Sequence, residues 1–163
     1  MKRKAGPDIP HTMQAALLVA PQRFEMCDVP RPSCPEGGLL LRVFACAICG
    51  SDNRLFLGRK QIKGRQEIDG RPLPGPIIGH EIAGRIVEVG AGVTQYRSDE
   101  LVIVAPGISC GTCDLCRAGQ VLVCRNYEAL GYRYPGGFAQ YLAVPALLAN
   151  DGSVNRISAG TPP

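Results

Sequence analysis

The sequence predicts a mainly β domain, built as a partly closed antiparallel barrel with a few short helices. Its 163 residues include 20 glycines and 14 prolines, which are scattered among short apolar runs rather than arranged in repeats. This distribution is typical of short strands joined by many turns. Strands and helices do not alternate, and the nearest approach to a dinucleotide-binding G-x-G-x-x-G motif, at Gly90-Ala91-Gly92, has glutamine at position 95. A Rossmann fold is therefore not predicted.

Short apolar stretches define the predicted strands, at 13–20, 25–29, 39–48, 77–89, 101–105, 129–131 and 137–144. We expect the last two to pair with each other around 132–136. Gly50-Ser51-Asp52 opens a short helix that continues to about Phe56, because serine and aspartate oxygens accept hydrogen bonds from the free N–H groups of a helix start. A basic, glycine-rich loop at 57–76 and a cysteine-rich loop at 107–125 complete the pattern.

The chain divides into three segments. Residues 1–12 have no periodicity and contain two prolines, which predicts a flexible leader. Residues 13–150 carry all the predicted elements and form one domain, long enough to enclose a hydrophobic core. Residues 151–163 show no clear pattern and are expected to form an irregular tail.

Composition argues against several classes of partner. The formal net charge is +4, with 20% charged and 45% hydrophobic residues, as in an ordinary globular protein. No basic stripe flanks the cysteines, so a nucleic acid is not expected. No apolar run is long enough to span a membrane, and the apolar stretch at 15–20 is too short for a secretory signal. These observations predict a cytoplasmic protein that binds neither nucleic acid nor membrane.

Half of the eight cysteines lie within fifteen residues, with the spacing C-x2-C-x2-C-x7-C. This cysteine quartet consists of Cys110, Cys113, Cys116 and Cys124. Short spacings let neighbouring thiolates wrap one zinc ion, with Gly111 and Gly119 permitting the turns. Four thiolates leave no open coordination position, so the predicted site is structural rather than catalytic. An iron–sulfur cluster and a pair of disulfides are the alternatives that the spacing leaves open.

A second group of metal-ligating residue types is split between two distant segments. Cys46 lies near the end of the predicted strand 39–48 and Cys49 follows that strand, while His80-Glu81 begins thirty-one residues after Cys49. Taken singly, the cysteines are explained as small buried hydrophobes and the histidine as a hydrogen-bonded core side chain. A redox-active C-x-x-C pair is another interpretation, but the βαβ context of a thioredoxin fold is missing.

Several motifs, taken together and in order, resemble a known family. CAICGSD at 46–52 is followed by GHEIAGRIVEVGAGV at 79–93, then by the cysteine quartet, and then by GGFAQYLAVP at 136–145. The chain resembles the zinc-dependent medium-chain alcohol and polyol dehydrogenases over residues 13–145. The resemblance implies that the barrel is the GroES-like catalytic domain of that family and that the quartet holds its structural zinc.

The resemblance also implies a second, catalytic zinc. Cys49 and His80 match its first two ligands, and Glu81 matches an acidic residue beside the metal that is itself a ligand in some relatives. Ser51 matches the hydroxyl that hydrogen-bonds the substrate alcohol and starts a proton relay. Asp52 matches the carboxylate that orients the metal-bound histidine, a role with a clear physical basis. The implied reaction oxidises an alcohol to a carbonyl, with hydride transfer to NAD or NADP.

The chain departs from the family pattern in two respects. It shows no counterpart of the cofactor-binding Rossmann half or of the family's remaining catalytic-zinc ligand. Arg54 stands where many relatives have a histidine that completes the proton relay, and arginine cannot shuttle protons at neutral pH. We therefore expect a catalytic-domain portion that is inactive alone and that needs a cofactor domain, with a homo-oligomer or a partner chain as possible sources. A non-catalytic, zinc-stabilised binding or assembly module is the alternative.

The basic loop suggests a further hypothesis. The segment 54–71, which overlaps this loop, carries six cations against two carboxylates: Arg54, Arg59, Lys60, Lys63, Arg65 and Arg71 against Glu67 and Asp69. Such a charge excess could steer an anionic substrate, such as a sugar phosphate, toward the site. An ordinary solvated loop explains the same composition.

Overall fold

The computed structural model describes residues 10–62 and 64–158 of the chain. Eleven strands and three short α-helices lie in this part. In chain order they are β1 (Thr12–Ala20), β2 (Arg23–Pro30), β3 (Leu39–Ala47), α1 (Gly50–Phe56), β4 (Glu67–Ile68), β5 (Arg71–Pro72), β6 (Glu81–Val89), β7 (Leu101–Val104), β8 (Gly107–Ile108), α2 (Asp114–Arg117), β9 (Glu128–Ala129), β10 (Tyr141–Val144), α3 (Ala146–Asn150) and β11 (Val154–Arg156).

The main sheet has five strands in the order β10-β3-β6-β7-β11, and β1 and β2 form a separate hairpin. Two further pairs, β4 with β5 and β8 with β9, have two residues in each strand. Every pairing between these strands is antiparallel. The prediction of a mainly β, antiparallel fold is confirmed, and the strands in the described part of the chain do not close into a complete barrel.

The first three residues of β3 lie at the centre of the hydrophobic core, because both faces of the strand are covered there. Leu39 and Leu41 pack into one cluster, which also contains Ile86 from β6. Leu40 points the opposite way, as alternate residues of a strand must, and packs against Leu17 in a second cluster. The three leucines are completely buried. This arrangement explains why the sequence here is a continuous apolar run rather than an alternating one.

The predicted pairing of 129–131 with 137–144 is wrong. Strand β9 pairs with β8, and β10 pairs with β3. The intervening segment 136–138 instead donates backbone hydrogen bonds to the carbonyl groups of residues 77–79, over 2.8–3.0 Å. Those contacts also explain why the predicted strand 77–89 begins as β6 only at Glu81: its first residues bond to a loop rather than to a strand of the sheet.

The two ends of the chain also differ from expectation. Residues 1–9 of the predicted leader lie outside the described residues, but Thr12 already pairs with Pro30 in the β1–β2 hairpin. In the predicted irregular tail, β11 pairs with β7 and its Val154 is 5% exposed. The Tyr96 hydroxyl donates to the carbonyl oxygen of Val154 at 2.7 Å. A strand of three residues with one apolar side chain, Val154, was too short a signal to be predicted from sequence.

Candidate metal centres

The cysteine quartet lies in the loop between β8 and β9. Its four Sγ atoms are all within 4.8 Å of one another. The Sγ of Cys124 is 3.5 Å from that of Cys110 and 3.9 Å from that of Cys113. Four sulfurs bound tetrahedrally at about 2.3 Å from one ion would be separated by about 3.8 Å, so the observed distances suit zinc. They are too long for the sulfur–sulfur bond of a disulfide, and all eight cysteines are free.

Backbone N–H groups point at the sulfurs of the quartet. Cys110 and Asn126 each donate to the Cys124 sulfur at 3.3 Å, and Cys116 donates to the Cys113 sulfur at 3.4 Å as α2 begins. Positive φ angles of 69° at Gly111 and 78° at Gly119 form the turns that the spacing predicts. Because N–H donors favour the anionic form of an acceptor, this loop is arranged to hold thiolates.

The thiols of the quartet differ in acidity. The pKa of Cys110 is lowered to about 5, first by the backbone N–H of Thr112 and then by the Thr112 hydroxyl. The pKa of Cys116 is raised to about 12, first by desolvation and then by its hydrogen bonds with neighbouring sulfurs. The metal-free quartet therefore keeps protons that a zinc ion would displace on binding.

The second group of ligands is assembled by the pairing of β3 with β6. Ala47, the last residue of β3, pairs with Glu81, the first residue of β6. Cys49 follows β3 and stands immediately before α1, while His80 immediately precedes β6. One ligand atom from each of Cys49, His80 and Glu81 lies within 4.8 Å of the other two. The sheet thus brings together the residues that the sequence separated by thirty-one positions.

Asp52 holds the two segments of this site together. Its side chain is buried, 2% exposed, and it accepts hydrogen bonds from the backbone N–H of Cys49 at 2.9 Å and of Gly79 at 3.3 Å. Its Oδ1 is also 3.4 Å from Nδ1 of His80, a buried atom that has no hydrogen-bond partner within residues 10–62 and 64–158. A carboxylate there favours the imidazole tautomer with the proton on Nδ1, which leaves the Nε2 lone pair available to a metal.

Ser51 lies on the ligand side of the histidine. Its Oγ is 3.3 Å from Nε2 of His80, the atom that faces away from Asp52. Glu81 is exposed, and it lines a cavity of about 480 Å³ together with His80. The rest of this cavity is mainly apolar, with Ile82 and Ile103 among its walls. The geometry therefore provides a thiolate, an imidazole and a carboxylate with a hydroxyl beside them at an open surface.

The comparisons with known proteins agree with this arrangement. The family model of the alcohol dehydrogenase GroES-like domain matches residues 35–150, which include both groups of ligands. The chain belongs to this family. No helix in the described part of this GroES-like domain is long and apolar enough to cross a membrane.

Similar proteins are dehydrogenases by name. L-threonine 3-dehydrogenase of Pyrococcus abyssi is 40% identical over 119 residues, 73% of this chain and 32% of that protein. A structure described as a zinc-binding dehydrogenase of Sinorhizobium meliloti 1021, bound to NADP, has a TM-score of 0.75 and 32% identity. The match covers 91% of this chain and 39% of the Sinorhizobium meliloti protein. The chain spans about a third of the length of the curated relatives it matches.

The donor atoms of the GroES-like domain fit zinc at both places. Four sulfurs without an open position match a structural site, and one sulfur, one imidazole and one carboxylate match the three-ligand pattern of catalytic zinc sites. Arg54 lies exposed on α1, and no side-chain hydrogen bond or ion pair of it occurs within residues 10–62 and 64–158.

Cys46 takes no part in either group of ligands. A Cβ on Gly79 or Gly137 would lie 2.8 Å from its sulfur, so the side chain is packed against these two glycines. Burial raises the pKa of the Cys46 thiol to about 11. A thiol that is neutral at physiological pH fits the interpretation as a small hydrophobe rather than as half of a redox pair.

Sequence reasoning missed Gln66, whose buried side chain forms hydrogen bonds to the backbone of segments near the Cys49–His80 site. Its side chain is 3% exposed and fully hydrogen-bonded. The two N–H groups of Nε2 donate to the carbonyl oxygens of Ile77, Tyr132 and Tyr134 over 2.9–3.3 Å, so one N–H is shared between two carbonyl oxygens. The Oε1 accepts from the N–H of Ile77 at 2.9 Å. One amide thus ties the segment before His80 to the loop after the quartet. A glutamine within a basic loop carries no sequence signal for such a role.

Proposed function

We propose that this GroES-like domain is the catalytic-domain portion of a zinc-dependent alcohol or polyol dehydrogenase, which oxidises an alcohol to a carbonyl with hydride transfer to NAD or NADP. The observation that carries the proposal is the convergence of Cys49, His80 and Glu81, backed by buried Asp52. A structural module would need only the cysteine quartet. A buried carboxylate that fixes two ligand-bearing segments at once is typical of a working metal site.

Each residue of the proposed site has a separate task. Cys49, His80 and Glu81 would hold zinc, which supplies Lewis acidity that lowers the pKa of a substrate alcohol. Ser51 lies beside Nε2 of His80, where its Oγ would accept the hydroxyl proton of the alcohol as its own hydroxyl proton is released outward. An arginine side chain such as that of Arg54 cannot pass a proton on, so the proton leaves to water or to a cofactor hydroxyl. The cysteine quartet would hold a second zinc that fixes its loop and takes no part in the reaction.

The nicotinamide cofactor must bind to residues other than these. The 163-residue sequence contains no G-x-G-x-x-G motif, so we expect these residues to catalyse no hydride transfer alone. A cofactor domain, from the same polypeptide or from a partner chain, would complete the enzyme. The proposed substrate is a small alcohol or polyol, and the proposed location is the cytoplasm, where eight free thiols stay reduced.

Metal content tests the proposal. Two zinc ions per chain are expected, and Cys49→Ser should remove one of them without changing the circular dichroism spectrum. Cys124→Ser should remove the other, and Cys27→Ser, which changes a cysteine outside both groups, should remove neither. One zinc per chain in the wild-type protein, unaffected by Cys49→Ser, would contradict the proposal and support a non-catalytic zinc-stabilised module.

A further inference from the structure

A cavity of about 260 Å³ is formed where five segments of the chain meet. Its lining comes from the start of β1, the proline-rich segment 32–35, the β4–β5 hairpin, residues 134–135 and the connection from β10 to α3. None of its lining residues is a proposed zinc ligand, and it shares none with the cavity that His80 and Glu81 line. A ligand here would therefore bind in addition to a substrate at the Cys49–His80 site, and not in place of it.

The inner wall of this cavity is apolar. Met13, Ile68 and Leu142 belong to the hydrophobic core, and each is at most 3% exposed. The rings of Tyr134 and Tyr141 and four prolines supply flat surfaces, against which another ring can pack. An apolar cavity of about 150 Å³ is large enough for benzene. The observed volume therefore accommodates one aromatic ring together with a short side chain.

Hydrogen bonds between segments hold the walls of the cavity in place. The Asp69 carboxylate accepts from the backbone N–H and the hydroxyl of Ser33, at 3.0 and 2.9 Å, which fastens the β4–β5 hairpin to the proline-rich segment. The carbonyl oxygen of Tyr134 accepts from the N–H of Gly131 at 2.9 Å and from Nε2 of Gln66 at 3.2 Å. Because the walls are already fixed, a ligand does not have to order them on binding.

The free charge of the cavity is negative. Among the described residues that line it, the charged ones are Glu67 and Asp69, and no arginine or lysine is present. The carboxylate of Asp69 is engaged by Ser33, whereas exposed Glu67 forms no ion pair within residues 10–62 and 64–158. A cation entering the cavity is attracted by the Glu67 carboxylate and by the faces of the tyrosine rings, and an anion is repelled by both.

We propose that this cavity binds a small arylalkylamine, with its aromatic ring against the buried apolar wall and its ammonium group at Glu67. The volume selects one ring with a short chain, and the free carboxylate selects a positive group at the end of that chain. An acid of the same shape would bring a like charge to Glu67. The proposal does not depend on the metal sites, since the cavity contains no proposed zinc ligand.

NMR titration of the chain with phenethylamine and with 3-phenylpropanoate tests the proposal at neutral pH. The two probes have the same ring and the same two-carbon chain, but they carry opposite charges. The signals of Ile68 and Leu142 report binding inside the cavity. Dissociation constants are measured for the wild type, Glu67→Gln, Glu128→Gln and Ala143→Leu. Glu128 is the matched control, because it is an exposed carboxylate on β9 that does not line the cavity.

We expect the amine to bind about threefold to fivefold more tightly than the acid, the range that one exposed charge pair gives. Glu67→Gln should remove most of this preference, and Glu128→Gln should leave it unchanged. Ala143→Leu, which fills part of the cavity, should weaken the binding of both probes.

Three results would overturn the proposal: no change in the signals of Ile68 and Leu142 with either probe, equal affinity for the two probes in the wild type, or equal losses in Glu67→Gln and Glu128→Gln. Circular dichroism shows whether Ala143→Leu is folded. If it is not, the two glutamate variants decide alone, since both residues are exposed and their substitution leaves the core intact.

Discussion

Asp52→Asn is the substitution that most directly tests how the Cys49–His80 site is built. The carboxylate now accepts from the N–H groups of Cys49 and Gly79, and it faces Nδ1 of His80 at 3.4 Å. Asparagine keeps the volume but has one accepting oxygen, and its NH2 group can only donate. At least one of the three N–H groups then meets a donor instead of an acceptor.

The size of the effect follows from the bonds that are lost. A hydrogen bond to a charged group contributes about 1.5–3 kcal/mol, and loss of an outer partner of a metal ligand lowers metal affinity about 10–100-fold. Since about 1.4 kcal/mol corresponds to a tenfold change, the two figures agree. We expect zinc affinity at the Cys49–His80 site to fall about 10–100-fold, with affinity at the cysteine quartet unchanged.

Competition with a chelator, followed by the zinc retained at each chelator concentration, measures both affinities. Asp114→Asn is the control, because Asp114 also bonds an arginine, Arg125, at 2.7 Å, yet both side chains are 63% exposed. Such exposed pairs contribute about 0–1 kcal/mol, so this variant should bind both zinc ions as the wild type does. Unchanged affinity in Asp52→Asn, or a loss confined to the quartet, would refute the assigned role of Asp52.

Three further predictions concern Gln66, Gly79 and the pH dependence of zinc binding by the cysteine quartet. Gln66→Leu should lower the free energy of unfolding by about 1–3 kcal/mol in a urea titration, because the buried N–H of Ile77 loses its acceptor. Gln61 is exposed, so Gln61→Leu should have little effect. Equal effects of the two substitutions would contradict the role of Gln66. Gly79→Ala should lower the melting temperature more than Gly152→Ala: both have φ near +88°, but only at Gly79 would the new Cβ lie 2.5 Å from Phe138. The zinc retained by the cysteine quartet should decrease as the pH falls toward the lowered Cys110 pKa of about 5, because protonation of Cys110 removes a thiolate ligand. Zinc retention that is independent of pH in a dialysis series would contradict this expected decrease.

The cysteine quartet could be predicted from sequence because all of its information is local. Its ligands lie within fifteen residues, and the glycines at 111 and 119 have the positive φ angles that such turns need. The Cys49–His80 site could not be predicted from spacing, since its ligands meet only through the pairing of β3 with β6. For that site, the ligands were predicted from the resemblance to a family and not from the spacing of the residues.

Other features escaped sequence reasoning for identifiable physical reasons. The contribution of Gln66 depends on four hydrogen bonds to backbone groups of distant segments, and backbone partners leave no trace in residue types. The predicted pair 129–131 and 137–144 is a local hairpin, and closing a short loop costs less conformational entropy than pairing distant strands. The structure prefers non-local pairing because β10 can bury Leu142 and Val144 against the core beside β3.

Helix α1 and the Gln66 side chain hold the proposed Cys49–His80 site from two different segments of the chain. The first turn of α1 carries Ser51 and buried Asp52, next to the ligand Cys49. Gln66 holds the carbonyl oxygen of Tyr132, whose ring lies 6.0 Å from the His80 imidazole, centre to centre. Because both attachments are hydrogen bonds between a buried side chain and the backbone, loss of either one should disturb the ligands without changing a ligand itself.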